Sequence, residues 1–311
     1  MINTSSKILI LGASGMVGSA LVRRLKAHGY TNLLHPTHAE LDLLRQDQTE
    51  VYFAAHRPDL VLLTAAKVGG ISANSEFSAD FIFKNLQIQQ NTFNAAFKVK
   101  TPNLIFFSSG CVYPKTSVQP MKEEYLLTAP VEPTSEPYAI AKIAGMKTTQ
   151  AMRKQYQLNW ISVVPANLYG INDNFDSKAS HVIPGIISRM DEAIKNNDPE
   201  FQVWGSGKPK REFMFVDDLA DACCFLLPKL STLPDFINLG VGHDITIAEL
   251  TVLIASKMGY QGKLVFDSTK PDGAMLKLLD SSKLKSMGWK PKTTLSEGLD
   301  EAIGYYRSLN F

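Results

Sequence analysis

The sequence has few cysteines, and their arrangement excludes two kinds of site. Only 3 of its 311 residues are cysteines, namely Cys111, Cys223 and Cys224. Two of them are adjacent, and none belongs to a Cys/His cluster with zinc spacing, so neither a disulfide framework nor a metal site is expected. We therefore expect a reduced, metal-free protein of the cytoplasm.

The sequence also lacks long apolar runs and a strong net charge. No run approaches the roughly 20 apolar residues of a transmembrane helix, and glycines interrupt the short apolar run near the amino end. The formal net charge is +2, and the densest basic cluster is the short "KPKR" at 208–211. This cluster is too short to follow a nucleic-acid backbone. We expect no membrane partner and no nucleic-acid partner.

Strand-like and helix-like patterns alternate through the first half of the chain. Continuous apolar runs typical of buried parallel strands are "KILIL", "LVLL", "LIFF" and "NWISVVP", the last ending at Pro165. Long helical patterns cover 77–98 and 138–155. This alternation predicts an α/β fold with a Rossmann-type, doubly wound parallel sheet.

The regular alternation weakens beyond residue 170, where "GINDNFDSKASHVIP" predicts a polar loop. We predict a nucleotide-binding Rossmann domain over residues 1–166, with a returning segment near 213–241. Residues 167–311 are then mainly a smaller, interleaved α/β domain that binds substrate.

A glycine-rich turn joins the first strand to the first helix. In "GASGMVG", Gly12, Gly15 and Gly18 permit a tight turn, close approach to a pyrophosphate and close packing of helix on strand. The free N–H groups of the helix attract phosphates. The spacing differs from G-x-G-x-x-G, and an ordinary strand-to-helix turn is the competing interpretation. The turn predicts a bound dinucleotide but not a reaction.

The residues after the second strand bear on the choice between NAD and NADP. An acid at this place holds the ribose 2′-hydroxyl of NAD, but "NLLHPTHAELDLL" has none before Glu40. His35 and His38 can face a 2′-phosphate, or they can be solvated loop residues. The segment mildly favours NADP(H) and leaves NAD(H) open.

Tyr138 and Lys142 share one face of a helix that Pro137 opens. A nearby ammonium lowers the pKa of a tyrosine, which makes the phenol a proton donor or acceptor near neutral pH. Such pairs are also common on helix surfaces. This pair gains weight because Ser109 ends a buried strand, and ligands of open sheets lie at the carboxyl ends of strands.

Together, the glycine turn, Ser109 and the Tyr-x-x-x-Lys pair resemble the extended short-chain dehydrogenase/reductase family. Within it, the chain resembles the GDP-L-fucose synthases over essentially its whole length. The segments that carry this narrower resemblance are "AAKVGGI", "SSGCVYP", "EPTSEPYAIAKIAG", "NLYGINDNF", "SHVIP" and "KPDGAMLKLLD". The resemblance implies 3,5-epimerisation and NADPH-dependent 4-reduction of GDP-4-keto-6-deoxy-D-mannose.

The resemblance also implies roles for individual residues. Ser109, Tyr138 and Lys142 match the reductase triad, and Cys111 and His181 match the acid/base pair of the epimerase. The implied cofactor contacts are Gly12, Ser14, Gly15, Met16, Val17, Gly18, Asp42, Leu43, Ala65, Ala66, Tyr138, Lys142, Pro165, Asn167, Leu168 and His181. The implied substrate contacts are Asn167, Arg189, Trp204, Arg211 and Lys277.

Interpretations without a catalytic or binding role compete with several of these assignments. Cys111 can be a small buried hydrophobe and His181 a loop residue, while Arg189 and Lys277 can be solvated surface charges. The chain also departs from the family pattern. Ser14 and the "HPTH" segment stand where the family often carries arginines for the 2′-phosphate, and Gly110 replaces a serine.

Other functions remain as alternatives at this point. The nearest are another nucleotide-sugar 4-epimerase or a 4,6-dehydratase of the same superfamily, and a non-catalytic dinucleotide sensor is more remote. "SSGCVYP" offers no acidic pair for a dehydratase, and a simple 4-epimerase has no need of Cys111 with His181. The wide apolar faces of the helices at 77–98 and 138–155 predict a homodimer, as the resemblance also implies.

Overall fold

A computed structural model describes residues 2–176, 180–270 and 272–309, without the side chains of residues 71 and 72. Residues 177–179 of the predicted polar loop and residue 271 of the "KPDG" segment lie outside the described residues. The strands are β1 Ile8–Leu11, β2 Leu33–Leu34, β3 Leu60–Leu63, β4 Asn103–Phe107, β5 Asn159–Pro165, β6 Asn167–Tyr169, β7 Glu200–Trp204, β8 Lys210–Arg211, β9 Phe213–Phe215, β10 Phe236–Leu239, β11 Ile245–Thr246, β12 Lys263–Asp267 and β13 Leu276–Lys277. The α-helices are α1 Met16–Ala27, α2 Gln46–His56, α3 Ile71–Glu76, α4 Ser78–Lys98, α5 Glu136–Tyr156, α6 Val182–Lys195, α7 Val216–Leu226, α8 Ile247–Met258, α9 Ser282–Ser286 and α10 Leu295–Ser308.

Among the described residues, six parallel strands form the central sheet in the order β10-β5-β4-β3-β1-β2. The predicted Rossmann-type sheet is therefore confirmed, including the end of β5 at Pro165. Crossover helices connect successive strands, since parallel neighbours cannot be joined by a tight turn. The predicted helix at 77–98 is α4, and the one at 138–155 lies within α5.

Side chains of the buried strands alternate between two core clusters, one on each face of the sheet. In β1, Ile8 and Ile10 pack with residues of α1 and α7, whereas Leu9 and Leu11 pack with residues of α2, α4 and α5. Burying one such side chain contributes about 1.5–3 kcal/mol. Both faces of the central strands are largely apolar, which explains the apolar runs in the sequence.

A third apolar cluster forms a separate layer beside the sheet. Its members come from α6, α8, α10 and the short strands, with Ile187, Ile254 and Ile303 as central examples. The chain crosses between the layers more than once, because α7 packs on α1 and β10 pairs with β5. Within the described residues, no helix combines the length and apolarity required to cross a membrane.

Candidate active site

A large cavity lies at the carboxyl ends of the central strands. Its volume is about 830 Å³, in the upper part of the range of roughly 300–1,000 Å³ found for ligand pockets. The last residues of β1, β4 and β5 (Leu11, Phe107 and Pro165) line one side, and Ile183 and Phe213 of the third cluster line the other. This is the edge of an open α/β sheet where ligands bind.

The glycine turn borders the cavity in a form that suits a diphosphate. Gly12 has φ +90°, and a Cβ there would lie 2.7 Å from the backbone nitrogen of Ala65. A Cβ on Gly18 would overlap the carbonyl oxygen of Gly12. At Gly15, which precedes α1, no side chain caps the helix and no acid occupies its first turn. The N–H groups at this end of α1 are therefore open to an anion.

Asn172 ties the far side of the cavity to this turn. Its Nδ2 donates to the carbonyl oxygen of Ser14 at 2.7 Å, and its Oδ1 accepts from the hydroxyl of Tyr305 at 3.1 Å. Both Ser14 and Asn172 line the cavity. The hydrogen bonds therefore fix the loop after β6 against the predicted phosphate site.

The two acids that follow β2 within this segment, Glu40 and Asp42, are placed differently. The carboxylate of Glu40 accepts from the backbone nitrogen and the hydroxyl of Thr37, at 2.7 and 2.9 Å. These bonds lower the pKa of Glu40 and hold its carboxylate against Thr37 of the same loop. His38 lines the cavity and its side chain is 80% exposed, whereas His35 is not part of the lining. Asp42 and Leu43 line the cavity as predicted.

The three triad residues lie together at the end of β4. Ser109 begins a short 3-10 turn over Gly110–Val112, and its hydroxyl accepts from the backbone nitrogen of Cys111 at 3.5 Å. The Nζ of Lys142 donates to the carbonyl oxygen of Phe107 at 2.8 Å and lies 5.6 Å from the ring centroid of Tyr138. Pro137 in the first turn of α5 sets the start of the helix that carries both.

The protonation of this group differs from the expectation drawn from the sequence. Burial raises the pKa of Tyr138 well above its ordinary value, with a further increase from Cys111, so the expected lowering is wrong for the protein alone. Burial also lowers the pKa of Lys142 to about 8. For both groups, desolvation outweighs the attraction between ammonium and phenolate. Tyr138 thus keeps its proton at neutral pH and can act as an acid.

Cys111 and His181 line the same cavity as the triad. Burial raises the pKa of the Cys111 thiol, while the hydrogen bond with Ser109 and the positive charges of Lys277 and Lys142 lower it. Burial lowers the pKa of His181, which directly precedes α6. Without ligands, the pair therefore consists of a thiol and a neutral imidazole, and the formation of a thiolate needs stabilisation by a cation.

The predicted substrate contacts fall into two groups. Asn167, Arg211 and Lys277 line the cavity, but Arg189 and Trp204 do not. The guanidinium of Arg189 lies 5.0 Å from the ring centroid of Trp204, whose side chain is 61% exposed. The structure therefore separates this stacked pair from the rest of the predicted set. All the predicted cofactor contacts belong to the lining.

Comparison with known proteins places this geometry in a family. The model of the NAD dependent epimerase/dehydratase family matches residues 8–240. The chain is 52% identical to GDP-L-fucose synthase 1 of Arabidopsis thaliana, over 98% of this chain and 94% of that protein. It is 45% identical to GDP-L-fucose synthase of Escherichia coli K12, over 97% of both chains.

The chain belongs to the NAD dependent epimerase/dehydratase family. Among solved structures, it is similar to MlghC, a GDP-mannoheptose C4 reductase from Campylobacter jejuni with NADP bound. The TM-score is 0.90 at 34% identity, over 99% of this chain and 100% of that one.

This family member also brings residues to the cavity that the sequence did not single out. Lys67, Lys84, Asn172, Asp173 and Glu212 belong to the lining. Lys67 lies in "AAKVGGI", and Asn172 and Asp173 lie in "NLYGINDNF". Both segments carried the family resemblance, and this was the sequence signal that could have identified these residues. Asp173 stands out because burial raises its pKa to about 7 and its Oδ2 is buried without a hydrogen-bond partner among the described residues.

Proposed function

We propose that this chain converts GDP-4-keto-6-deoxy-D-mannose into GDP-L-fucose by epimerisation at carbons 3 and 5 and NADPH-dependent reduction at carbon 4. The supporting observation is the cavity, which Cys111 and His181 line together with Ser109, Tyr138 and Lys142. A simple reductase needs only the last three, so the added thiol and imidazole favour an enzyme that also moves protons on carbon. Full-length relatives named GDP-L-fucose synthase support the same reaction.

In this proposal, Cys111 and His181 carry the epimerisation. The ketone at carbon 4 acidifies the neighbouring protons, because the electron pair of a broken C–H bond becomes an enolate. Cys111 as thiolate takes the proton from one face, and His181 as imidazolium returns a proton to the other. Tyr138 and Ser109 donate hydrogen bonds to the enolate oxygen.

The same site then carries the reduction. Bound NADPH supplies the hydride to carbon 4. Tyr138, which is protonated at neutral pH, gives its proton to the oxygen at carbon 4. Lys142, held by the carbonyl oxygen of Phe107, stabilises the negative charge that remains on the tyrosine.

We assign the GDP-sugar to the rest of the cavity and its rim. Asn167 and Arg211 border the sugar and the diphosphate, because a guanidinium suits phosphate oxygens. The exposed ring of Trp204, stacked on Arg189, offers a flat apolar surface for the guanine base beyond the cavity.

NADP(H) is the cofactor, and the segment after β2 supports this assignment. The carboxylate of Glu40 is held by Thr37, while His38 is an exposed donor at the cavity edge. The NADP bound to MlghC supports the same choice. Because Ser14 carries no positive charge, we expect measurable turnover with NADH as well.

The division of the chain, its assembly and its location are part of the proposal. The sheet with its two flanking core clusters supports a Rossmann domain made of residues 1–166 together with the returning segment near 213–241. The third cluster supports a substrate domain in the remainder of the chain. Exposed apolar residues on α4 and α5, such as Phe83 and Ile140, support a homodimer. A free Cys111 thiol supports the cytoplasm, which keeps thiols reduced.

The test is absorbance at 340 nm with GDP-4-keto-6-deoxy-D-mannose, in parallel with NADPH and NADH, and with identification of the product. We expect oxidation with formation of GDP-L-fucose, faster with NADPH, and loss of the signal in Tyr138→Phe. No oxidation of either cofactor would overturn the proposal. A tightly bound NAD that survives purification would then favour a 4-epimerase.

A further inference from the structure

Lys277 lies on a segment that is fixed against the turn carrying Cys111. β13 pairs in parallel with β8, so that Lys277 is opposite Arg211. The carbonyl oxygen of Leu278 accepts from the backbone nitrogen of Met121 at 2.7 Å, and the backbone nitrogen of Leu279 donates to Glu212 at 2.9 Å. Hydrogen bonds on both sides therefore hold residues 276–280 in one position.

This segment passes directly beside the strand-end turn. The side chain of Leu279 would lie 3.9 Å from a Cβ placed on Gly110, and Cys111 packs on the same core cluster as Leu279. Lys277 and Cys111 both line the cavity. The ammonium of Lys277 and the thiol of Cys111 therefore face one cavity, where charges interact more strongly than in bulk water.

Within the described ranges, no carboxylate lies at ion-pair distance from the ammonium of Lys277. Burial lowers the pKa of Lys277, while Cys111 and Glu132 raise it and Arg211 lowers it further. Glu132 is itself paired with Lys115, with 3.2 Å between Oε2 and Nζ. Across the part of the chain that the structure describes, Lys277 forms no ion pair with a carboxylate. A thiolate at Cys111 is an anion that can balance this half-buried cation.

Of the groups that act on the pKa of Cys111, Lys277 is the cation without another role in the proposed reduction. Lys142 and Tyr138 approach Cys111 from α5, but the Nζ of Lys142 is hydrogen-bonded to Phe107 and its charge serves Tyr138 in the proposed reduction. Ser109 contributes a hydrogen bond but no charge.

We propose that Lys277 is the positioning residue that holds Cys111 as a thiolate, so that the sulfur can take the proton from carbon 3 or 5. This role rests on the proposed epimerisation. It differs from the diphosphate contact that the family resemblance implies for Lys277. In the proton transfer, the C–H bond breaks, the S–H bond forms, and the electron pair moves to the oxygen at carbon 4.

The experiment measures the rate at which iodoacetamide alkylates Cys111 as a function of pH, in the NADP-bound protein, with mass spectrometry of the Cys111 peptide. The buried Cys223 and Cys224 serve as internal references. We expect Lys277→Met and Lys277→Gln to slow alkylation about tenfold at neutral pH, equivalent to about one unit in the pKa of the thiol. Lys277→Arg should restore most of the rate. Lys26→Met, which removes an exposed lysine at the end of α1, should change nothing.

A second measurement separates this role from diphosphate binding. Calorimetric titration with GDP reports the diphosphate contact without any keto sugar. A shifted alkylation profile that Lys277→Arg reverses supports the inference. An unchanged profile in both neutral variants, with a GDP affinity weakened tenfold, overturns it in favour of a diphosphate contact, and an unchanged profile with unchanged affinity overturns both roles. Alkylation requires no turnover, so a failure of the proposed function in the 340 nm assay remains a separate result.

Discussion

At the scale of single residues, Tyr138 and Cys111 share one cavity but have separable tasks in the proposed mechanism. Removing the phenol proton of Tyr138 should lower the rate of reduction by about 10²–10⁴, the usual contribution of a general acid. Tyr138→Phe should still exchange some hydrogen at carbons 3 and 5. Cys111→Ser should show the opposite pattern. Deuterium uptake by NMR in D₂O and NADPH oxidation at 340 nm measure the two activities.

Calorimetric titration with NADP⁺ is the control for these two variants, since Cys111→Ser is expected to leave the affinity for NADP⁺ nearly unchanged. Equal loss of both activities in Tyr138→Phe would argue against separable roles. Unchanged deuterium uptake in Cys111→Ser would remove the thiol from the mechanism.

The pH dependence of reduction should report Lys142. Burial lowers its pKa to about 8, so the ammonium loses its proton as the pH rises through that value. The charge that stabilises the developing tyrosinate is then lost, and the single-turnover rate should fall roughly tenfold per pH unit above about 8. Stopped-flow absorbance at 340 nm from pH 6.5 to 9.5, with NADPH already bound, measures this. Lys142→Met should be slow and independent of pH. A flat wild-type profile up to pH 9.5 would contradict the assignment.

At the scale of elements, Gly15 just before α1 and Gly18 in the first turn of α1 have different reasons to lack a side chain. A Cβ on Gly18 would overlap the backbone of Gly12, whereas a Cβ on Gly15 would lie 3.5 Å from the nearest protein atom and meet no clash. Gly18→Ala should therefore destabilise the fold by about 1–3 kcal/mol. Gly15→Ala should keep normal stability and lose about tenfold or more in NADPH affinity, because its methyl group enters the phosphate site.

Urea unfolding and fluorescence titration with NADPH distinguish the two glycine variants, each serving as the control of the other. If Gly15→Ala bound NADPH normally, the turn would not be the phosphate site. If Gly18→Ala were fully stable, the close approach of α1 to Gly12 would not matter for folding.

The elements differ in how far the sequence could predict them. Central strands such as β4 and β5 were predictable because both faces of the sheet are buried, which produces unbroken apolar runs. The pairing of β13 with β8 and the hydrogen bond from Asn172 to Ser14 were not predictable. Both join residues far apart in the chain, and short polar segments carry no periodicity that indicates their partner.

The protonation of the candidate site was likewise beyond the sequence. The spacing of Tyr138 and Lys142 was sufficient to predict that they share a helix face, and the structure confirms this. Their pKa values depend instead on how deeply other elements bury them, which spacing does not record.

At the scale of the whole molecule, α4 and α5 present apolar residues that the described parts of the chain leave exposed. The two helices pack on each other, and Phe83, Leu86 and Ile140 remain 69%, 38% and 41% exposed. Exposed apolar residues that are clustered on one face are typical of protein interfaces. If two copies packed through this face around a two-fold axis, the exposed apolar residues of both copies would be buried, because such an interface is self-complementary.

Phe83→Glu should therefore convert a dimer into a monomer. Each side chain of this size contributes about 1.5–3 kcal/mol when buried. Because a two-fold dimer contains the substitution in both copies, this contribution is lost twice and two unpaired charges enter the interface. Light scattering at micromolar concentration should give twice the 34.3 kDa of one chain for the wild type and 34.3 kDa for the variant. Val252→Glu changes a residue of α8 that is 56% exposed and should leave the dimer intact. A monomeric wild type, or a Phe83→Glu variant that stays dimeric, would show that this face is not the interface.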